Sequence, residues 1–259
     1  MGSRRESRAW FATAARAAAE SGDPQLHAWV LAREVMVPLN YGAPKAAAGL
    51  AEQAPRVAGT RPTAAATLAA AVAARAYALN HQPEQARAAL KAADALMGRL
   101  SEGERSDTWL TYGEQKHRVH LSHAFTTLGD TRLAHVSQEH AREQSAPTST
   151  VTHTLLNIDA AARSHHDGDT EQACRRTVAA LTALPADYCT GLVRGRALDL
   201  YEAIPPSTTT STLYGNYATS WPTENDGFHS GRARPVRRSD SSRPPRARSI
   251  GAAVGYPMV

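Results

Sequence analysis

The sequence predicts an all-α protein: a superhelix of stacked antiparallel helical hairpins, an α-solenoid, followed by a disordered C-terminal tail. Three observations predict it. First, a short phrase recurs, Leu-Gly-Asp-Thr-Arg-Leu-Ala at 128–134 and Asp-Gly-Asp-Thr-Glu-Gln-Ala at 167–173, with weaker copies at 40–47 and 79–86. The alanines closing the copies, Ala47, Ala86, Ala134 and Ala173, lie 39, 48 and 39 residues apart. Recurrence at such a period marks stacked helical hairpins. Second, apolar residues keep a helical period, and no stretch alternates with period two over strand length. Third, the composition breaks after Ile204-Pro205-Pro206 into Ser/Thr, then Gly/Asn/Tyr, then Pro/Arg/Ser.

Ten helices are expected, over 5–20, 24–39, 44–56, 62–80, 83–98, 105–128, 131–144, 150–166, 169–184 and 189–203. The first, rich in Ala, is broken by Arg16 and Glu20 and is amphipathic. Asp23-Pro24 supplies a cap and then a proline at the first helical position, where a missing N–H costs nothing. Gln82-Pro83 repeats the proline with a weaker cap. Tyr77, Leu79, Leu90 and Leu96 recur among alanines in the second hairpin; Trp109, Leu121, Phe125 and Leu128 form the stripe of the third. Gly129 and Gly168 can end a helix in the left-handed conformation, after which Asp130 and Asp169 cap the next. Asp169 with Gln172 fits a capping box. Turns this short make neighbouring helices antiparallel.

The organisation is a helical domain over 1–204 and a tail over 205–259. Apolar residues make up 42% of the chain but aromatics only 6%. Much of the apolar content is alanine, so a few large anchors must hold a core in which helices approach closely. Cys174 and Cys189 are too few for a disulfide framework and lack metal-type spacing. No apolar run approaches the roughly 18 residues of a membrane span. The N-terminal Arg4-Arg5 is followed by an amphipathic segment, not the apolar core of a signal. A cytoplasmic protein without membrane contact is expected. The net charge is +5, but seven arginines against three acids beyond Pro205 account for +4 of it. The tail's pattern and apolar content are too poor to offset ordering entropy.

The hairpins resemble the tetratricopeptide repeat (TPR). In that repeat a small residue sits where two helices cross, an aromatic packs three residues on, and an Ala opens the second helix. Ala74 and Tyr77, then Ala86, Leu90 and Ala93, follow that order. Leu121, Ser122 and Phe125, then Ala134 and Ala141, follow it again, and Ala161, Ala173 and Ala180 a third time. The spacing exceeds the roughly 34 residues of the standard repeat, and no copy carries the full Trp/Leu/Gly/Tyr set. The segments at 27–42, 74–79 and 196–201 resemble, more narrowly, the TPR-like C-terminal region of actinobacterial transcriptional regulators with an N-terminal XRE/Cro-type helix-turn-helix. That resemblance covers roughly residues 5–204 and implies a noncatalytic sensing or peptide-interaction module. No helix-turn-helix precedes residue 24. The helix at 5–20 reads as the second of a hairpin lacking its first, and that at 189–203 as a first lacking its second. A truncated homologue is therefore expected, with the tail an out-of-frame extension or a genuine disordered end.

Chemistry is sparse. His117, His120 and His123 sweep one side of a helix, with His135 and His140 on the next, but no His-Glu-x-x-His accompanies them. There is no nucleophile elbow, no phosphate-binding loop and no dinucleotide fingerprint. No enzyme activity, metal or cofactor is expected. Arg234, Arg237 and Arg238 in the tail lack interleaved aromatics, so no sequence-specific DNA binding is expected. The repeat register instead places Trp29, Met36, Arg75, Leu79, Lys116, His123, Ile158 and His165 on the first helices of the hairpins, lining a concave groove for a protein or peptide ligand. Arg75, Lys116 and His123 are hardest to bury unpaired, which favours a ligand with an acidic end. Incomplete array ends favour self-association. A stand-alone TPR adaptor and a His-dependent metalloprotein are the alternatives.

Overall fold

The computed structural model describes residues 4–205, apart from 107, 109 and 190. Trp109 of the expected apolar stripe and the tail from 206 onward lie outside them. The described residues form helices and no strands: α1 (Arg4–Glu20), α2 (Pro24–Asn40), α3 (Pro44–Ala51), α4 (Gln53–Ala58), α5 (Ala64–Leu79), α6 (Pro83–Met97), α7 (Glu114–Thr127), α8 (Thr131–Gln144), α9 (Thr150–His166), α10 (Thr170–Thr182) and α11 (Gly191–Ala203). Short 3-10 turns stand at Gly103–Arg105 and Ala186–Tyr188. No helix among these residues is long and apolar enough to cross a membrane.

The repeated phrase folds into the same turn four times. Its penultimate loop residue takes a left-handed φ each time: Gly42 64°, His81 56°, Gly129 74° and Gly168 91°. The next N–H reaches back five residues to a carbonyl of the preceding helix, from Ala43 to Pro38, Gln82 to Tyr77, Asp130 to Phe125 and Asp169 to Ser164, all at 2.9–3.0 Å. This is the Schellman closure, which satisfies carbonyls that a helix end would otherwise orphan. Asp23, Asp130 and Asp169 then cap the following helices, accepting from the N–H groups of Gln25, Leu133 and Gln172 at 2.8, 3.1 and 2.9 Å. Gln82 makes no side-chain cap bond. The expected capping box at Asp169 is absent, because the Gln172 side chain accepts from Ser164 Oγ instead (3.1 Å).

The alanine closing each phrase is the fourth residue of its helix, and all four are fully buried. A small side chain at this position lets the crossing helices approach closely. Inner helices α2, α5, α7, α9 and α11 touch one another in succession, and α11 also touches α2. At that last contact a Cβ on Gly195 would lie 3.5 Å from the Asn40 carbonyl oxygen. The outer helices α1, α3, α4, α6, α8 and α10 lie against this layer. α5 is buried on every side except at Tyr77 and Leu79, whereas α6 buries a single stripe, Ala86, Leu90, Ala93 and Met97. Ala74, Leu90, Leu121 and Ala124 form one apolar cluster, with Phe125 and Leu128 against it.

Two expected helices differ. The segment over 44–56 splits into α3 and α4, because Pro55 has no N–H to offer and its ring would meet the Ala51 carbonyl four residues back. The helix expected over 105–128 starts only at Glu114. Before it, the Ser106, Thr108 and Thr111 hydroxyls bond one another and nearby backbone, offering the chain an alternative to helix. That loop returns Tyr112 to the core, where it is 1% exposed.

The shared turn is testable. No atom lies within 4 Å of a Cβ added at Gly168, so Gly168→Ala should cost only the left-handed strain, about 1 kcal/mol. His81→Gly should be neutral or stabilise by up to about 1 kcal/mol. Urea denaturation measures both; a Gly168→Ala variant as stable as the parent would contradict the shared turn.

Candidate functional site

The inner layer carries a buried polar cluster drawn from four helices. α5 contributes Arg75, α7 contributes His120, Ser122 and His123, α9 contributes Asp159, and α11 contributes Arg196; each is at most 8% exposed. Position follows from register. Arg75 sits in the alanine run of α5, and Arg196 falls between Val193 and Leu200 on the buried stripe of its helix. Asp159 follows Leu155 by one turn.

Asp159 organises the cluster. Its two carboxylate oxygens accept from Arg196 at 3.0 and 3.1 Å, and Oδ2 also accepts from Ser122 Oγ at 2.9 Å. Arg75 donates to Nδ1 of His120 at 3.2 Å; a guanidinium has only donors, so this ring nitrogen is the acceptor. The Nε atoms of Arg75 and Arg196 are buried without a hydrogen-bond partner. Within the buried cluster two guanidiniums thus share one carboxylate, while the exposed Asp199 also acts on Arg196 from outside.

Protonation follows from this. Burial, then Arg196, holds Arg75 down to about 9, against the opposing pull of Asp159 and Tyr112. His120 lies well below its ordinary value because of burial, then Arg75 and Arg196. His123 does so through burial, then Arg196 and Arg75. Burial pushes Asp159 up against Arg196 and Ser122. Both histidines are accordingly neutral at pH 7.

The eight residues expected along a groove are spread differently. Trp29, Met36, Arg75, His123 and Ile158 are buried, whereas Leu79, Lys116 and His165 are partly exposed. Trp29 and Met36 belong to the main apolar cluster, against which Leu79 packs. Ile158 belongs to a second, with Leu155 and Val193. Lys116 Nζ donates to the Thr108 carbonyl (2.8 Å) and pins the preceding loop. His123 and His165 bond Thr127 and Thr170 next to them. Arg75 and His123 come together, with Arg75 joining His120 directly; the other six do not converge on them.

The histidine trio on α7 also separates. His117 bonds Asp94 of α6 (3.0 Å), which lowers the Asp94 carboxyl, while His120 faces Arg75. Among the described residues no group of three or more His, Cys, Asp or Glu is placed to hold a metal. Sequence reasoning missed Asp159, Arg196 and Ser122. The available signal was a charged residue at helical spacing within an apolar stripe, as in Leu155-Leu-Asn-Ile-Asp159. No family model matches the chain, and neither does any curated protein or solved structure.

Removing the shared carboxylate should be costly. Asp159→Asn strands a buried guanidinium and should destabilise by about 3–5 kcal/mol, whereas Arg75→Met, which removes a charge with no bonded carboxylate, should be neutral or stabilising. Chemical denaturation compares them. The neutral histidines predict acid sensitivity. The unfolded state protonates them near pH 6.5 and the fold does not, so stability present above that value is lost as pH falls below it. Asp159 acts with the opposite sign, further into the acid range. His120→Gln should therefore lose less stability than the parent between about pH 7.5 and about pH 5.5. Equal losses in thermal melts would remove His120 from this role.

Proposed function

We propose that the chain is a noncatalytic ligand-sensing module, built as a TPR-like stack of the kind that resembles the sensor region of helix-turn-helix transcriptional regulators, and working in the cytoplasm. The observation carrying this reading is the inner cluster. A pure scaffold gains nothing from holding two guanidiniums around one carboxylate, since burying uncompensated charge is costly. An anionic group from a ligand would neutralise the excess and supply acceptors for the unpartnered Nε atoms. Entry past α11, the inner helix at the seam with α2, would couple occupancy to the arrangement of the layer. Support for the architecture comes from the four equivalent turns and the four buried alanines. The absence of a catalytic motif in the sequence favours binding over turnover.

Thermal melts with small mono- and dicarboxylates, and with peptides ending in acidic residues, test the reading. A cognate ligand at about 100 times its Kd should add about 2.7 kcal/mol of stability and be recovered chemically unchanged. Arg75→Met should abolish that gain. The same gain in Arg75→Met, or none with any anion, would refute an inner-layer site.

A further inference from the structure

Away from the inner cluster, α8 and α10 both pack on α9 but make little contact with each other. Between them lies a cleft of about 510 Å³, lined by residues including Arg142, Pro147, His153, Asn157, Arg176 and Ala180. Its walls carry guanidiniums from α8 and α10, Arg142 and Arg176, and Arg163 of the intervening α9 lies within the field of both. Arg142, on α8, is held over the cleft by Asn157 Oδ1 (2.9 Å) and by Glu139 (3.2 Å). Arg176, on α10, is exposed and makes no hydrogen bond or ion pair among the described residues. Arg163, on α9, has a buried Nε without a partner. Besides its burial, both Arg176 and Arg142 disfavour its charge, with Asp167 and Glu139 opposing them. Like charges gathered around an open cleft are unfavourable until an anion enters.

We propose that the cleft between α8 and α10 docks an acidic peptide segment of a partner protein, its carboxylates meeting Arg142 and Arg176. The site is independent of the inner-layer reading. Several features select a peptide over a single oxyanion. The guanidiniums stand on opposite walls, on α8 and α10, and Arg142 is already tied to Asn157, so they do not converge on one point. The cleft is far larger than one phosphate group. Pro147, Ala179, Ala180 and Ala183 supply an apolar floor for side-chain stems. Guanidinium–carboxylate pairing is bidentate and directional, which suits spaced carboxylates on a chain.

Fluorescence polarisation with a short fluorescein-labelled peptide of alternating Glu and Ala tests the proposal. The peptide should bind the full chain at about 50 mM salt and weaken as salt rises, because exposed charges are screened. Arg176→Glu should weaken binding by about tenfold or more. Arg87→Glu, on the exposed face of α6, should leave it unchanged. Circular dichroism should show the helical content of Arg176→Glu intact, since Arg176 is exposed. Three results would overturn the proposal: no binding, equal weakening in Arg176→Glu and Arg87→Glu, or unchanged binding by an isosteric Gln-Ala peptide. Displacement of the peptide by an equal concentration of inorganic phosphate would also overturn it in favour of a single-oxyanion site. Tighter binding of oligo-deoxythymidine would do so in favour of nucleic acid.

Discussion

Everything in this fold depends on how closely its helices approach. The spacing is set by a methyl group at the fourth position of each second helix, where Ala47, Ala86, Ala134 and Ala173 are fully buried. A preceding left-handed turn fixes where that position falls. Neither device works alone: the turn reverses the chain within a few residues, and the small residue lets the reversed helix settle against its neighbour. His81 occupies the one copy without glycine and still adopts the turn. The pressure of the surrounding hairpin therefore outweighs the strain of a side chain there.

Close approach has a consequence for the interior. Because α5 is largely alanine and surrounded on nearly every side, it brings backbones together but fills little volume itself. Anchors such as Leu68, Val72, Leu90 and Tyr112 fill the remainder. A long polar side chain that falls on the buried face of an inner helix is shut away from water by the same geometry. Arg75 and Arg196 meet there, and Asp159 is the carboxylate between them. The cluster joins α5, α7, α9 and α11, so the electrostatics of one helix are set by residues far away in sequence. Its neutral histidines and shared carboxylate tie the packing of the layer to protonation, and the excess positive charge ties it to anions.

The outer layer follows a different logic. Its helices bury one stripe and leave the rest to water, so their charges are free to face neighbours. Between α6 and α7, Asp94 receives His117 and lies near Arg118 (3.7 Å), and the seam is closed. Between α8 and α10 arginines stand on both sides with α9 beneath, and the seam stays open. One chain thus presents a sealed polar interior and an open basic cleft, distinguished by whether acids and bases alternate across the gap.

The sequence by itself determined the helical class, the hairpin turns, most helix starts and the burial of the phrase-closing alanines. These are local or periodic properties: a cap, a left-handed residue and a period of 3.6 are written in neighbouring letters. It also marked Arg75 as a residue hard to leave unpaired. Only the tertiary structure decided what Arg75 meets, that Lys116 and His165 serve their own loops, and that His117 and His120 turn to different partners. It alone brought Arg142 and Arg176 to opposite walls of one cleft. Those outcomes depend on the rotation of each helix about its axis and on contacts between residues some 15–85 apart in sequence, as in Arg142–Asn157 and the shared field of Arg75 and Asp159. Periodicity fixes which face of a helix is buried, but not which side chain from another helix will be waiting there.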